Sequence, residues 1–294
     1  MLMNPAEDIK LVSLEDSDYP ELLKQIPNPP TRLYYRGTLI PEEKLFTVVG
    51  TRKPSSYGIE CAQYFVSQLV NCGFTVVSGL ALGTDATCHQ AALNAGGRTL
   101  AVLGSGVDTI TPITNERLGL EIIERGALIS EFSPGTQPQK FYFPQRDRIM
   151  SGLSCGTLVI EAGEKSGALI TAHAATEQGR EVFAVPGDIF SYSAKGTHQL
   201  IQEGAKLVTD IDDILQELSQ LNLQPAAKKG ITNANASVSP ESKIILSALS
   251  KAKNLEELLE DVGLEASQLR AELTTLEIKR IIKRRLDGRY QLNK

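Results

Sequence analysis

The sequence is poor in the groups that usually announce chemistry. It holds four cysteines, Cys61, Cys72, Cys88 and Cys155, spaced 11, 16 and 67 residues apart with no C-x-x-C pair. That spacing excludes a recognisable zinc ribbon, and a disulfide framework does not suit a chain of 294 residues. The three histidines, His89, His173 and His198, share no metal-ligand spacing, so each is expected to be a polar surface or loop residue. No metal and no cofactor is expected. There is no apolar run near the ~18–20 residues that span a bilayer. Residues Met1 to Lys10 carry Glu7 and Asp8 and no apolar segment, which argues against a secretory signal. The expected location is the cytoplasm, without membrane attachment.

Excess positive charge is also missing. Thirty basic and 35 acidic residues leave a net charge of −5, so a surface coated in positive potential is excluded, though a local basic pocket is not. From Pro240 onward there are 11 Lys/Arg and 9 Asp/Glu, a balance of +2, which leaves −7 on the rest. With 41% apolar and 22% charged residues the composition is that of an ordinary globular protein of roughly two domains.

What is present is an alternation of short β-rich runs with longer helical ones. Expected strands are Leu45–Val49, Thr75–Val77, Thr99–Leu103, Ala127–Ser130, Thr157–Ile160, Glu181–Val185 and Lys206–Val208. Their unbroken apolar character suits strands covered on both faces. Helices are expected over Gly58–Asn71, Thr84–Ala95, Thr114–Arg125 and Leu169–Gln178, with Gly73, Gly96, Gly126 and Gly179 as left-handed caps. The pattern predicts an α/β fold, an extended Rossmann-like, doubly wound, mostly parallel sheet. Residues 1–44 read as an adaptor packed on this domain, 45–221 as the domain itself and 222–239 as a linker. Residues 240–294 read as three short helices and a hairpin turning at Asp287-Gly288, hence a small winged-helix domain. Its cations Lys279, Arg280, Lys283, Arg284, Arg285 and Arg289 suit either duplex DNA or, with Glu277 and Asp287 opposing them, a solvated face or protein contact.

In a parallel sheet, ligands collect beyond the carboxyl ends of the strands. Here those ends run into Gly50-Thr51-Arg52, Ser78-Gly79, Gly104-Ser105-Gly106, Glu131-Phe132, Glu161-Ala162-Gly163 with Lys165-Ser166-Gly167, and Pro186-Gly187. Tight turns need glycine in any case, but so many on one edge point to a glycine-floored anion site. The P-loop pattern and the dinucleotide fingerprint are both absent. Gly152-Leu153-Ser154-Cys155-Gly156 fits G-x-S-x-G, but it precedes a strand where a nucleophile elbow must follow one. The run Lys140-Phe141-Tyr142-Phe143-Pro144-Gln145-Arg146-Asp147-Arg148 interleaves aromatics with cations, expected on a loop. Such residues hold single-stranded nucleic acid by stacking on bases and meeting phosphates; equally, the rings could fill core and the arginines pair with Asp147.

These stretches carry a resemblance. Val48-Val49-Gly50-Thr51-Arg52, Val77-Ser78-Gly79-Leu80-Ala81, Ala101–Asp108, FPQRDRIMSGLS from Phe143, EAGEKSGALITA, EQGREVFAVPGDI and Gly196-Thr197 resemble, in consistent order, the DNA-processing protein A (DprA/Smf) family. The resemblance covers about Leu11 to Asp213, and the tail extends it. It implies a non-enzymatic protein that binds single-stranded DNA and loads the RecA recombinase during natural transformation, in competent cells. It implies that Arg52, with Gly50 and Thr51, grips phosphate, and that Lys140 and Phe143 supply a phosphate contact and a stacking ring. Gly104, Ser105 and Gly106 become the pocket floor, and Arg146, Lys165, Ser166 and Gly167 complete the DNA-binding set. The chain departs from the family at Thr51 (usually serine), Leu82 and Lys165 (usually arginine), Asp147 and His198 (usually asparagine). Asp147 is therefore expected to hold Arg146 or Arg148. The segment before Leu11, where the family often has a helical domain, is short.

Two or three cations make a weak site, because each neutralised phosphate adds only about 0.7 to the salt slope of a single strand. Several pockets along one strand are then needed, which predicts a homodimer or an array. The rival readings are a Rossmann-like nucleotide-binding hydrolase, with Glu131 and Glu161 as strand-end carboxylates, and a small-nucleotide sensor.

Overall fold

The structure is a computed structural model that describes residues 8–220, 240–249, 253–278, 281–284 and 289–292. The chain divides into two compact units, with the boundary between residues 229 and 230.

The first unit opens with β1 (Lys10–Ser13), the single turn α1 (Glu21–Lys24) and β2 (Arg32–Gly37). Then come β3 (Leu45–Val49), α2 (Ser56–Asn71), β4 (Thr75–Ser78), α3 (Thr84–Asn94), β5 (Thr99–Val102), α4 (Glu116–Arg125) and β6 (Ala127–Ser130). The chain continues through α5 (Tyr142–Leu153), β7 (Gly156–Val159), α6 (Gly167–Glu177), β8 (Glu181–Ala184), α7 (Lys195–Gln202), β9 (Lys206–Leu207) and α8 (Ile211–Gln220). The nine strands form one sheet in the order β1-β2-β6-β5-β4-β3-β7-β8-β9. From β6 to β9 every pair is parallel, while β1 and β2 add an antiparallel edge. This is the expected α/β, doubly wound, mostly parallel architecture.

Strand alternation explains the two-sided core. Phe46 and Val48 point to one face with Val76, Leu158 and Phe183, against α2, α3 and α8. Leu45 and Val49 point to the other with Val77, Leu100 and Val102, against α5 and α6. Every residue of β3, β4, β5, β6 and β7 is buried, as continuous apolar runs require when helices cover both faces.

Four expectations change. Residues 1–44 are more than an adaptor packed on the sheet, because β1 and β2 belong to it: Tyr35 sits opposite Ile129 and Lys10 opposite Tyr35. The Lys140–Arg148 run is no loop, since α5 begins at Tyr142. Pro144 is tolerated there because the first turn of a helix has N–H groups without intrahelical partners. The buried Arg146, Ile149, Met150 and Leu153 then form its inward stripe. Gly73, Gly96 and Gly179 are left-handed as expected, but Gly126 is not: it ends α4 at φ −153°, and a side chain there would run into the Thr99 carbonyl. Finally, His89 is fully buried instead of lying at the surface, and its Nδ1 donates to Thr99 Oγ1 at 2.7 Å. Thr99 Oγ1 in turn donates to the Val76 carbonyl at 2.8 Å, which leaves its lone pair for the imidazole. Burial pushes the His89 pKa down to about 3.

The second unit contains α9 (Pro240–Ala248), α10 (Leu255–Val262), α11 (Ala266–Ile278) and the antiparallel pair β10 (Ile282–Arg284) and β11 (Tyr290–Leu292). Ile245, Leu249, Leu258, Leu269, Leu273, Leu276 and Ile282 form its core. Asn254 caps α10 through a reciprocal box with Glu257. The predicted linker 222–239, the cations Lys279, Arg280 and Arg285, and the turn at Asp287-Gly288 lie outside the described residues.

Candidate nucleic-acid interface

The sheet order fixes where a site can form. From β3 the chain winds through β4, β5 and β6 in one direction, and then returns to place β7, β8 and β9 on the other side of β3. At such a reversal the loops leaving two neighbouring strands diverge and open a crevice. The crevice between the ends of β3 and β7 has a volume of about 570 Å³, within the range of small-molecule pockets.

Of the predicted residues, Gly50, Thr51, Arg52, Lys140, Phe143, Arg146, Lys165, Ser166 and Gly167 line it together. The β3 loop is pinned from both sides. Thr51 N–H donates to the Glu161 carbonyl at 2.8 Å, and the Thr51 carbonyl accepts from Thr84 N–H and Oγ1 at 3.1 and 3.0 Å. Arg52 then stands exposed at the crevice mouth. Its guanidinium carbon lies 5.5 Å from the Phe143 ring centroid, within cation–π reach. The ring is backed by Gly104, where an added Cβ would come within 3.1 Å of Phe143 Cδ1. On the far wall Ser166 caps α6, its Oγ accepting from Ala168 N–H at 3.3 Å, so an eleven-residue helix points its positive end at the crevice. Lys140 and Lys165 are exposed.

Two predicted groups take other roles. Ser105 and Gly106 do not line the crevice: Ser105 is buried with its hydroxyl donating to the Thr109 carbonyl at 2.7 Å, and Gly106 N–H donates to the Thr136 carbonyl at 2.9 Å. They brace the loop behind Phe143 and form no floor. Arg146, although it touches the crevice, is 4% exposed, and its Nη1 and Nε donors are spent inside the protein. Nη1 donates to the carbonyls of Gly79 and Val102 at 2.6 and 2.7 Å, and Nε donates to Asp147 Oδ1 at 2.9 Å. Asp147 therefore holds Arg146, one of the two partners expected of it. Arg148 is tied to Glu131 at 2.5 and 2.7 Å and to the Asn28 carbonyl at 2.7 Å.

The inner wall is electrostatically unusual. Asp85 is buried, and desolvation raises its pKa against the pull of Arg146. Burial likewise pushes Asp147 up to about 6, with Arg146 opposing and Asp85 assisting. One arginine thus faces two carboxylates behind a rim of exposed cations.

The strand-end carboxylates considered for catalysis have structural partners. Glu161 is 5% exposed and accepts from Ser55 N–H at 2.8 Å, Ser55 Oγ at 2.7 Å and Ser193 Oγ at 2.8 Å. This anchors the start of α2, where Ser55 is the cap. Ser154 of the G-x-S-x-G run is fully buried against Thr47 Oγ1 at 2.7 Å. His198 Nε2 sits 3.1 Å from the Gly187 carbonyl. Among the described residues there is no group of three or more His, Cys, Asp or Glu able to hold a metal ion, and no helix long and apolar enough to cross a membrane. The crevice also takes in Tyr192, which sequence reasoning does not single out. A lone tyrosine in a Ser-rich turn carries no periodic or motif signal, and only the fold brings it beside Gly163.

Comparison with known proteins adds four findings. A family described as DNA recombination-mediator protein A matches residues 10–219. The DNA processing protein DprA of Bacillus subtilis is 42% identical over 220 residues, 74% of this chain and 74% of that protein. Among solved structures, the X-ray structure of DNA processing protein A from Streptococcus pneumoniae superposes with a TM-score of 0.69 at 43% identity, covering 72% of this chain and 75% of that one. DNA processing protein A from Helicobacter pylori, described for its single-stranded DNA binding mode, gives a TM-score of 0.66 at 26% identity over 74% of this chain and 99% of that one.

Proposed function

The chain belongs to the DNA recombination-mediator protein A family, and from that premise we propose that it binds single-stranded DNA in the β3–β7 crevice and loads the RecA recombinase onto it. The observation that carries the reading is the pairing of Arg52 with Phe143. An exposed cation and an aromatic face stand side by side in an open crevice, 5.5 Å apart, beside a helix N-terminus. Phosphate meets Arg52, Lys140 and the start of α6, while a base stacks on Phe143. Because every base has a π-face, the site takes any sequence, at roughly 1–3 kcal/mol per stacked base. Arg146 plays a different part, fixing α5, and with it Phe143, to the ends of β4 and β5.

The same reading makes the protein a non-catalytic mediator acting in the cytoplasm, in natural transformation where the host is competent, and a homodimer that offers two crevices to one strand. Support comes from the commitments of Glu161 and Glu131, which leave neither free to act on a glycosidic bond. Anisotropy of labelled oligothymidine, against duplex of equal length and with Arg52→Ala and Phe143→Ala, tests the binding. RecA filament assembly on coated single strands tests the loading, sedimentation tests the dimer, and release of free base from nucleoside monophosphates tests for a hydrolase. Equal affinity for duplex and single strand, undiminished in both variants, would sink the proposal.

A further inference from the structure

Tyr192 is left idle by the reading above. It sits in the turn between β8 and α7, lines the same crevice as Arg52 and Phe143, and is 60% exposed. An exposed tyrosine alone needs no explanation, but this one is held in place without being covered. Its ring lies against Gly163, where any Cβ would collide with ring carbons. The turn that carries it is tied down on both sides. Ser191 N–H donates to the Asp188 carbonyl at 2.9 Å, Phe190 N–H to Asp188 Oδ1 at 2.8 Å, and Ala162 N–H to the Ser193 carbonyl at 2.7 Å. A ring already ordered loses little entropy on meeting a flat partner. A cation stands beside it: Lys195 Nζ is 5.9 Å from the ring centroid and 3.3 Å from Glu164, and Lys165, exposed, lines the same crevice.

We propose that Tyr192 is a second base-stacking surface of the crevice. A strand stacked on Phe143 passes the N-terminus of α6 and lays a further base on Tyr192, with Lys165 and Lys195 facing its phosphates. This rests on the single-strand reading of the crevice and deepens it by giving the strand a direction, from the β3 loop across β7 toward β8. An anchored ring beside the Lys195 ammonium and in a crevice shared with Lys165 and a helix N-terminus suits an anionic chain of planar groups. Phe190, 89% exposed in the same turn, does not line the crevice and serves as the internal control.

The test is anisotropy with labelled oligothymidine at several salt concentrations, together with photo-cross-linking of a 4-thiothymidine oligonucleotide to the unaltered protein. Tyr192→Ala is expected to weaken binding roughly five- to 150-fold, the range of one lost stack, with the salt slope unchanged. Tyr192→Phe should bind as the unaltered protein does, as should Phe190→Ala, and the cross-link should map to Tyr192. Full affinity in Tyr192→Ala, with Arg52→Ala and Phe143→Ala still weak, overturns this inference and leaves the crevice reading standing. Full affinity in all of them removes both. Equal loss in Tyr192→Phe and Tyr192→Ala assigns the effect to the hydroxyl and overturns stacking. Should Tyr192→Ala fail to fold, the cross-link decides, and attachment only elsewhere overturns the proposal.

Discussion

Arg146 Nη1 donates to the carbonyl of Gly79 at 2.6 Å, and the same guanidinium fills the space beside the Gly79 α-carbon. The bond and the missing side chain are one device, because a β-carbon at residue 79 would occupy the place of the guanidinium. Gly79→Ala is therefore expected to cost about 1–3 kcal/mol, as overpacking does. Urea unfolding measures it, and a change within 0.5 kcal/mol, about the size of a neutral surface substitution, would show that Arg146 can retreat freely.

Two arginines in the crevice are expected to fail in different ways. Arg52 is exposed and Arg146 is buried between carbonyls and Asp147. Arg52→Ala should leave stability nearly unchanged and lower the single-strand salt slope by about 0.7. Phe143→Ala should weaken binding with no change of slope. Arg146→Ala should instead destabilise by about 3–5 kcal/mol, since it leaves buried charge unpaired. Salt titrations beside unfolding curves separate the three.

Asp147 gives the protein an acid-side gain in stability. Its carboxyl titrates at about 6 when folded and at ~3.9 in an unfolded chain. Between those values the folded state holds a proton that the unfolded state lacks, so this group's contribution declines as pH rises from about 4 to 6 and its charged form is a cost above that. Asp147→Asn removes the cost. Its melting temperature relative to the unaltered protein should be more favourable at pH 7.5 than at pH 4.5, and an equal difference at both would refute the raised value.

His89 works in the opposite sense. Folded it titrates at about 3, against ~6.5 unfolded. The stability of its neutral form is complete above pH 6.5 and lost as pH falls toward 3. His89→Gln, which can still donate to Thr99 but cannot gain a proton in this range, should shift the acid unfolding midpoint to lower pH, as followed by circular dichroism.

The parallel half of the sheet was legible because buried strands such as Leu45–Val49 and Ala127–Ser130 have no other use for their residues. The edge was not. Lys10–Ser13 and Arg32–Gly37 are half polar, and only the pairing of β2 with β6 and of β1 with β2 makes them strands. The cations of the Lys140–Arg148 run look alike in sequence, yet Arg146 and Arg148, on α5, turn inward to carbonyls and Glu131 while Lys140, just ahead of the helix, stays exposed. Which charge reaches solvent depends on helix phase, and a run read as a loop has none. Tyr192 was invisible for a related reason, since its neighbour Gly163 is close only after β7 and β8 are laid side by side.

The central strand has an awkward place in biosynthesis. Thr47 of β3 pairs with Thr157 of β7, so one side of β3 has no neighbour until the ribosome has emitted more than half of the polypeptide. A nascent chain stalled before Gly156 would display an apolar ribbon with open hydrogen-bonding groups, the sort of edge on which other chains nucleate aggregates. Both walls of the β3–β7 crevice come into being at the moment that ribbon is sealed, and a truncated product would be sticky before it was functional.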